Sequence, residues 1–118
     1  MSEAIFYHNP RCSKSREALA FVQEQVKDLL VVEYLKTPLD KAELFDIYQK
    51  LGIQSAHQMI RSNEAEFDQA GLSDKSSDDD VLAAVEKFPR LLERPILLYK
   101  NRAAIGRPLD HIVSLLHD

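Results

Sequence analysis

HNPRCSKSR, from His8 to Arg16, follows a short apolar run, Ala4-Ile5-Phe6-Tyr7, and opens a helical pattern. A strand that passes through a polar turn straight into a helix leaves the turn residues at the helix N-terminus. Here the residue so placed is Cys12, the only cysteine in the chain. Helix-start amides and the positive end of the macrodipole stabilise negative charge at that point. His8, Arg11, Lys14 and Arg16 add four cationic or protonatable groups within the same stretch. Such surroundings lower a thiol pKa from about 8.5 into a range of roughly 3.5–7.5, and the thiolate is the reactive form. A free cysteine also packs as a small hydrophobe in protein cores. Polar and charged neighbours on both sides of Cys12 argue instead for a nucleophile.

Working outward, Ala4 to Tyr7 reads as a short buried strand. Leu19, Val22 and Val26, with Ala18 beside them, give the following segment an amphipathic helical stripe. LLVVEY, Leu29 to Tyr34, is apolar and β-branched and suits a central strand. Strand, helix and strand make a βαβ unit, which predicts a parallel pair with a right-handed crossover. The middle of the chain is helical. Asp40 with Glu43 forms a capping-box pattern, and Leu44, Ile47, Tyr48 and Leu51 keep helical spacing up to Gly52. Ser55 to Ile60 predicts a short helix. Ser77 with Asp80 starts another, with Val81, Leu82, Val85 and Phe88 as its inner face. The acidic run Asp78-Asp79-Asp80 suits a helix N-terminus better than a metal site. ILLY (Ile96–Tyr99), a turn at Lys100-Asn101 and RAAI (Arg102–Ile105) predict a hairpin, since Asn tolerates the left-handed conformation such turns need. After Gly106, the stripe Leu109, Ile112, Val113 and Leu116 predicts a closing helix.

The 118 residues suit one domain, with a helical insertion at about 38–92, and are 45% hydrophobic and 29% charged, as in soluble globular proteins. Net charge is −4, so no global charge points to nucleic acid or an anionic membrane. Any anion site must be a local concentration of basic groups. No apolar run approaches a membrane span, and MSEAIFYHN lacks the basic-then-apolar layout of a signal peptide. A single cysteine cannot form an internal disulfide, which fits a reducing compartment. A cytoplasmic monomer is therefore expected. Zinc needs three or four clustered N or S ligands; one Cys with scattered His does not supply them, so no metal is expected. His57, His111 and His117 are expected at the surface, as are the charges of Arg90 and Arg102.

These elements and motifs together resemble the ArsC-type arsenate reductases, coupled to glutathione and glutaredoxin, including their YfgD-like branch. The resemblance spans essentially the whole chain. It is carried by HNPRCSKSR (His8–Arg16), EYLKTP (Glu33–Pro38), MIRSNE (Met59–Glu64), ERPILL (Glu93–Leu98) and IGRP (Ile105–Pro108). It implies a thioredoxin-like α/β fold, ordered βαβ, helical insertion and ββα, with a mixed four-stranded sheet. By resemblance Cys12 is the nucleophile, His8 helps to activate it, and Arg61, Arg94 and Arg107 bind the substrate oxyanion. The first helical turn, Ser13, Lys14, Ser15 and Arg16, supports the thiolate. The resemblance also implies a cis Arg94–Pro95 bond, a geometry found in only about 5–6% of X–Pro bonds.

The residue chemistry agrees. Arsenate is a tetrahedral oxyanion, and guanidinium groups present paired planar donors to such oxygens. Arg94 and Arg107 each precede a proline in the apolar last third, at strand ends where both can face the first helix's N-terminus. His8 could equally be a strand-end histidine bonded to backbone; its place across the turn from Cys12 favours an electrostatic role. The implied reaction is arsenate to arsenite, with no bound cofactor and with glutathione as co-substrate and glutaredoxin as partner. The position three after Cys12 is Ser15, so the chain has no resolving cysteine and needs an external thiol. Arg16 is only four residues after Cys12, which disfavours the unrelated Cys-x5-Arg phosphatase-like arsenate reductases. Two other readings stay open. One is a monothiol oxidoreductase acting on glutathionylated proteins. The other is a Spx-like transcriptional regulator, which Ser15 disfavours because those proteins carry a Cys-x-x-Cys switch.

Overall fold

The continuous apolar run Ala4 to Tyr7 places the first strand at the centre of the sheet. In a computed structural model describing residues 4–62 and 64–117, β1 (Ala4–His8) lies between two neighbours. It pairs in parallel with β2 (Leu29–Glu33), Ala4 opposite Leu29 and His8 opposite Glu33. On its other side it runs antiparallel to β3 (Ile96–Tyr99), with Tyr7 opposite Ile96. β3 turns into β4 (Arg102–Ile105), giving the order β2-β1-β3-β4. This is the mixed four-stranded sheet of the expected thioredoxin-like fold. The hairpin turn places both Lys100 (φ 50°) and Asn101 (φ 69°) in the left-handed region, as a two-residue type I′ turn demands.

The chain forms two compact units, residues 1–37 with 94–118, and residues 38–93. In the first, α1 (Ser13–Gln25) and α5 (Asp110–Leu116) accompany the sheet. Its core joins Ala4 and Phe6 of β1, Ala18 and Val22 of α1, Leu97 of β3, and Ile112 and Leu115 of α5. The stripe on α5 thus differs by one position from the sequence reading. Leu115 is buried, whereas Val113 and Leu116 are only half-buried, because the side-chain direction along the helix brings Ile112 and Leu115 onto one face.

Gly106 closes this unit beneath the last helix. Its amide donates to Pro95 O at 2.8 Å. A Cβ there would lie 2.6 Å from Ile112 Cδ1 and 3.0 Å from Pro95 Cγ. Ile112 is fully buried and cannot swing aside. Gly106→Ala is therefore expected to destabilise the protein by about 1–3 kcal/mol through overpacking. Urea unfolding would show this as a lower midpoint at unchanged slope; an unchanged midpoint would mean the site has room.

The second unit is helical: α2 (Lys41–Leu51), a 3₁₀ turn at Ala56–Met59, α3 (Ala65–Gln69), α4 (Asp78–Lys87) and a second 3₁₀ turn at Pro89–Leu91. The capping box is formed at α2. Glu43 N–H donates to Asp40 Oδ1 at 2.8 Å, Asp40 N–H donates to Glu43 Oε1 at 3.3 Å, and Gly52 ends the helix in the left-handed conformation. Ser77 caps α4 by accepting from Asp80 N–H. Val81, Leu82, Ala84 and Val85 form the buried face of α4, with Phe88 half-buried at its end. Asp78 does more than cap. Its carboxylate accepts from Tyr48 Oη (2.9 Å), Ser55 Oγ (3.3 Å) and Ala56 N–H (3.0 Å), and these bonds hold it below the usual carboxylate range. His57 is half-buried rather than at the surface, its Nε2 lying 2.7 Å from Ser76 O. His111 and His117 are exposed. Arg90 is exposed as expected and pairs with Glu64 and Glu66. Among the described residues no helix is long and apolar enough to cross a membrane.

Candidate active site

The turn between β1 and α1 is held by its own side chains. Cys12 N–H donates to Asn9 O (3.0 Å), and Arg11 N–H donates to Asn9 Oδ1 (3.0 Å). Arg16 reaches back to Pro10 O at 2.8 Å. Ser15 is fully buried in the first turn of α1. Its hydroxyl accepts from Asn9 N–H (3.1 Å) and meets His8 Nδ1 at 2.7 Å. Burial lowers the His8 pKa; the Glu33 carboxylate opposes this and Arg16 adds to it. Near neutral pH the imidazole therefore carries little charge, and its recorded hydrogen bond goes to Ser15.

Cys12 is the N-cap of α1, in extended conformation (φ −96°, ψ 121°). Its sulfur makes no cap hydrogen bond of standard geometry, yet the first-turn amides act on it electrostatically. Burial alone pushes the thiol up. The pull of the Ser15 N–H, the Arg94 and Arg107 side chains and the Lys14 N–H outweighs it, and the thiol is lowered below its ordinary value. Arg107 Nη2 lies 3.1 Å from Cys12 Sγ, while Nε of the same guanidinium donates to Arg94 O at 2.8 Å. One planar fork thus ties the thiol to the strand end that carries the second arginine. The Arg94–Pro95 bond is cis, as the resemblance implies, and so is Arg107–Pro108.

Of the residues expected at the site, Cys12, Arg94 and Arg107 come together around the sulfur. Lys14 and Ser15 contribute through backbone amides, and Ser13 and Arg16 complete the first turn of α1. Arg61 belongs to the helical unit, where its Nε pairs with Glu64 (3.4 Å) and Glu93 (3.9 Å). Asn9 was not singled out from the sequence, although it organises the turn; an Asn directly before a Pro at a strand end is the signal available for it. Among the described residues no three His, Cys, Asp or Glu side chains gather in a way that could hold a metal ion.

The electrostatics make a measurable claim. Ultraviolet thiolate absorbance should rise as pH passes a midpoint below the free-cysteine value of about 8.5, and thiol reactivity should increase through that midpoint and level off above it. Arg107→Ala should move the midpoint upward. A wild-type midpoint at or above about 8.5 contradicts the activated thiolate.

Comparison with known proteins agrees with this geometry. Residues 7–115 match the model of the ArsC family. An arsenate reductase of Neisseria meningitidis is 46% identical over 117 residues, covering 98% of this chain and 100% of its own length. The Escherichia coli protein YfgD is 40% identical over 111 residues, 93% of each chain. The structure of an arsenate reductase from Vibrio cholerae superposes with a TM-score of 0.88 at 37% identity, covering 94% of this chain and 95% of that one. A low-pKa cysteine at a helix start, bracketed by arginines on the thioredoxin-like sheet, is here part of a likeness that runs through the whole sequence: the chain belongs to the ArsC family.

Proposed function

We propose that this protein reduces arsenate to arsenite through a Cys12 adduct that is resolved by glutathione and then by glutaredoxin. The observation that carries the reading is the Arg107 guanidinium 3.1 Å from Cys12 Sγ at the start of α1. A thiolate so placed can attack the arsenic of a bound oxyanion, with Arg94 and Arg107 neutralising its oxygens and water leaving. The first step forms the Cys12 S–As bond and expels one arsenate oxygen as water. In the second, the glutathione sulfur forms an S–S bond with Cys12 as the S–As bond breaks. That electron pair stays on arsenic, which passes from As(V) to As(III), and the glutathione proton goes to arsenite. A glutaredoxin thiolate then takes the glutathionyl group and restores Cys12. Ser15, buried and bonded to His8 and Asn9, serves as a structural hydroxyl at the position where a resolving thiol would stand. His8 acts through Ser15 to hold the turn rather than as a cation beside the thiol. Arg61 as a third oxyanion ligand rests on the family resemblance.

The test is an omission series that follows arsenate-dependent NADPH oxidation with glutathione reductase present. Turnover is expected only when both glutathione and glutaredoxin are supplied. Full turnover with thioredoxin and thioredoxin reductase in their place would overturn the proposed coupling. The monothiol oxidoreductase reading is the alternative, favoured by the single accessible thiol of Cys12 above a buried Ser15.

A further inference from the structure

Within the helical unit, residues 59–61 and 91–93 close into a short antiparallel clip. Ile60 bridges to Leu92, Arg61 N–H donates to Leu91 O at 2.7 Å, and Glu93 N–H donates to Met59 O at 2.9 Å. Met59, Ile60, Leu91 and Leu92 are all buried, so the clip gives Arg61 a fixed backbone. The Arg61 side chain is only 18% exposed, and its Nε faces two carboxylates, Glu64 at 3.4 Å and Glu93 at 3.9 Å. Arg90 Nη2, 3.8 Å from the other Glu64 oxygen, gives that carboxylate a second hold. The Nη1 corner of the Arg61 guanidinium is different. It is buried and has no hydrogen-bond partner among the described residues. A buried donor left unpaired is costly, more so when it is charged, and native structures keep few of them without a use.

We propose that Glu64 and Glu93 are positioning residues, which hold the Nε side of Arg61 and keep its Nη1 donor open for an oxygen of the tetrahedral oxyanion. The proposal rests on the arsenate reading argued above, in which Arg61 is an oxyanion ligand by resemblance, and adds to it the groups that aim the ligand. A guanidinium is planar, with its five N–H donors in a fixed fork, so holding one donor sets the direction of the others. Two carboxylates that merely stood near Arg61 would have the opposite effect on the anion. They would repel it, and neutralising either would tighten its binding. The sign of the change therefore separates a positioning role from simple proximity.

The test is the KM for arsenate of Glu64→Gln and Glu93→Gln, two neutral isosteres. Each should raise KM about two- to fivefold, on the scale of one partly exposed ion pair, with kcat and the Cys12 thiol midpoint at their wild-type values. Arg61→Met should raise KM further. Adding Glu93→Gln to Arg61→Met should raise it no more, because the carboxylate acts only through the arginine. Urea midpoints verify that each variant is folded. A KM that falls or stays unchanged in both glutamate variants, or a double variant whose losses add, overturns the positioning role. Inorganic phosphate, an oxyanion that the thiol does not reduce, supplies a readout free of turnover. Its titration should shift the Arg61 Nε–H resonance of the wild-type protein, and Glu93→Gln should weaken that binding. This pattern in a protein without arsenate turnover would sink the arsenate reading and leave the positioning role standing. Arsenate turnover with KM unmoved in both glutamate variants would do the reverse.

Discussion

Cys12→Ser is expected to bring arsenate turnover down to background, the largest single effect this site can show. A serine hydroxyl is protonated at neutral pH, and none of the bonds that stabilise the thiolate creates a base to activate it. His8 is committed to Ser15 at 2.7 Å. Deleting a nucleophile in other enzymes has cost on the order of 10⁶ in kcat, and a loss of that order falls below any practical detection here. The substitution leaves the core untouched, since Cys12 is only partly buried at a helix N-cap, a position that serine favours. The checks are NADPH-coupled turnover for activity and unfolding midpoint for stability. Residual turnover above a few per cent would show that arsenic is not attacked by this sulfur.

Arg107→Ala is expected to cost on the order of 10²–10³ in rate if the guanidinium acts as one preorganised oxyanion donor, with little change in stability because the residue is exposed. Three consequences should appear together. The thiol midpoint rises, KM for arsenate rises, and kcat falls, since one side chain serves both the sulfur and the oxyanion. Arg107→Lys should recover only part of the loss. A single ammonium cannot reach Cys12 Sγ and Arg94 O in the fixed geometry of a fork. Arg94→Ala should cost a similar factor. Arg107→Ala with unaltered kcat and KM would remove the arginine from the mechanism.

Local chemistry explains which parts of this architecture were legible in the sequence. The βαβ opening, the capping box at Asp40 and Glu43, the Ser77 cap and the hairpin around Lys100-Asn101 all announce themselves through short-range patterns, and all are present. The five-residue helix α3 and the 3₁₀ turn at Pro89–Leu91 do not. Neither is long enough to show a period, and α3 has no fully buried residue to mark a stripe. Cys12 could be singled out because cations and a helix start crowd its neighbourhood in sequence. The partnership of Arg107 with Cys12 spans 95 positions, so only the family resemblance could suggest it. His8 is where tertiary context adds most to the sequence. Its place across the turn from Cys12 points to an electrostatic role, and the fold adds burial, which lowers its pKa, and a contact of 2.7 Å between Nδ1 and the Ser15 hydroxyl. His57 and Asp78 follow the same pattern, each drawn into hydrogen bonds by residues around twenty positions away.

The most direct test compares two substrates on the wild-type protein at equal enzyme concentration. One reaction holds arsenate with glutathione, glutaredoxin and glutathione reductase. The other holds a glutathionylated peptide with glutathione and glutathione reductase, and no added glutaredoxin. Saturable NADPH loss that depends on arsenate and disappears in Cys12→Ser is the predicted result. Rapid deglutathionylation with no arsenate-dependent NADPH loss would contradict the account and identify a monothiol oxidoreductase.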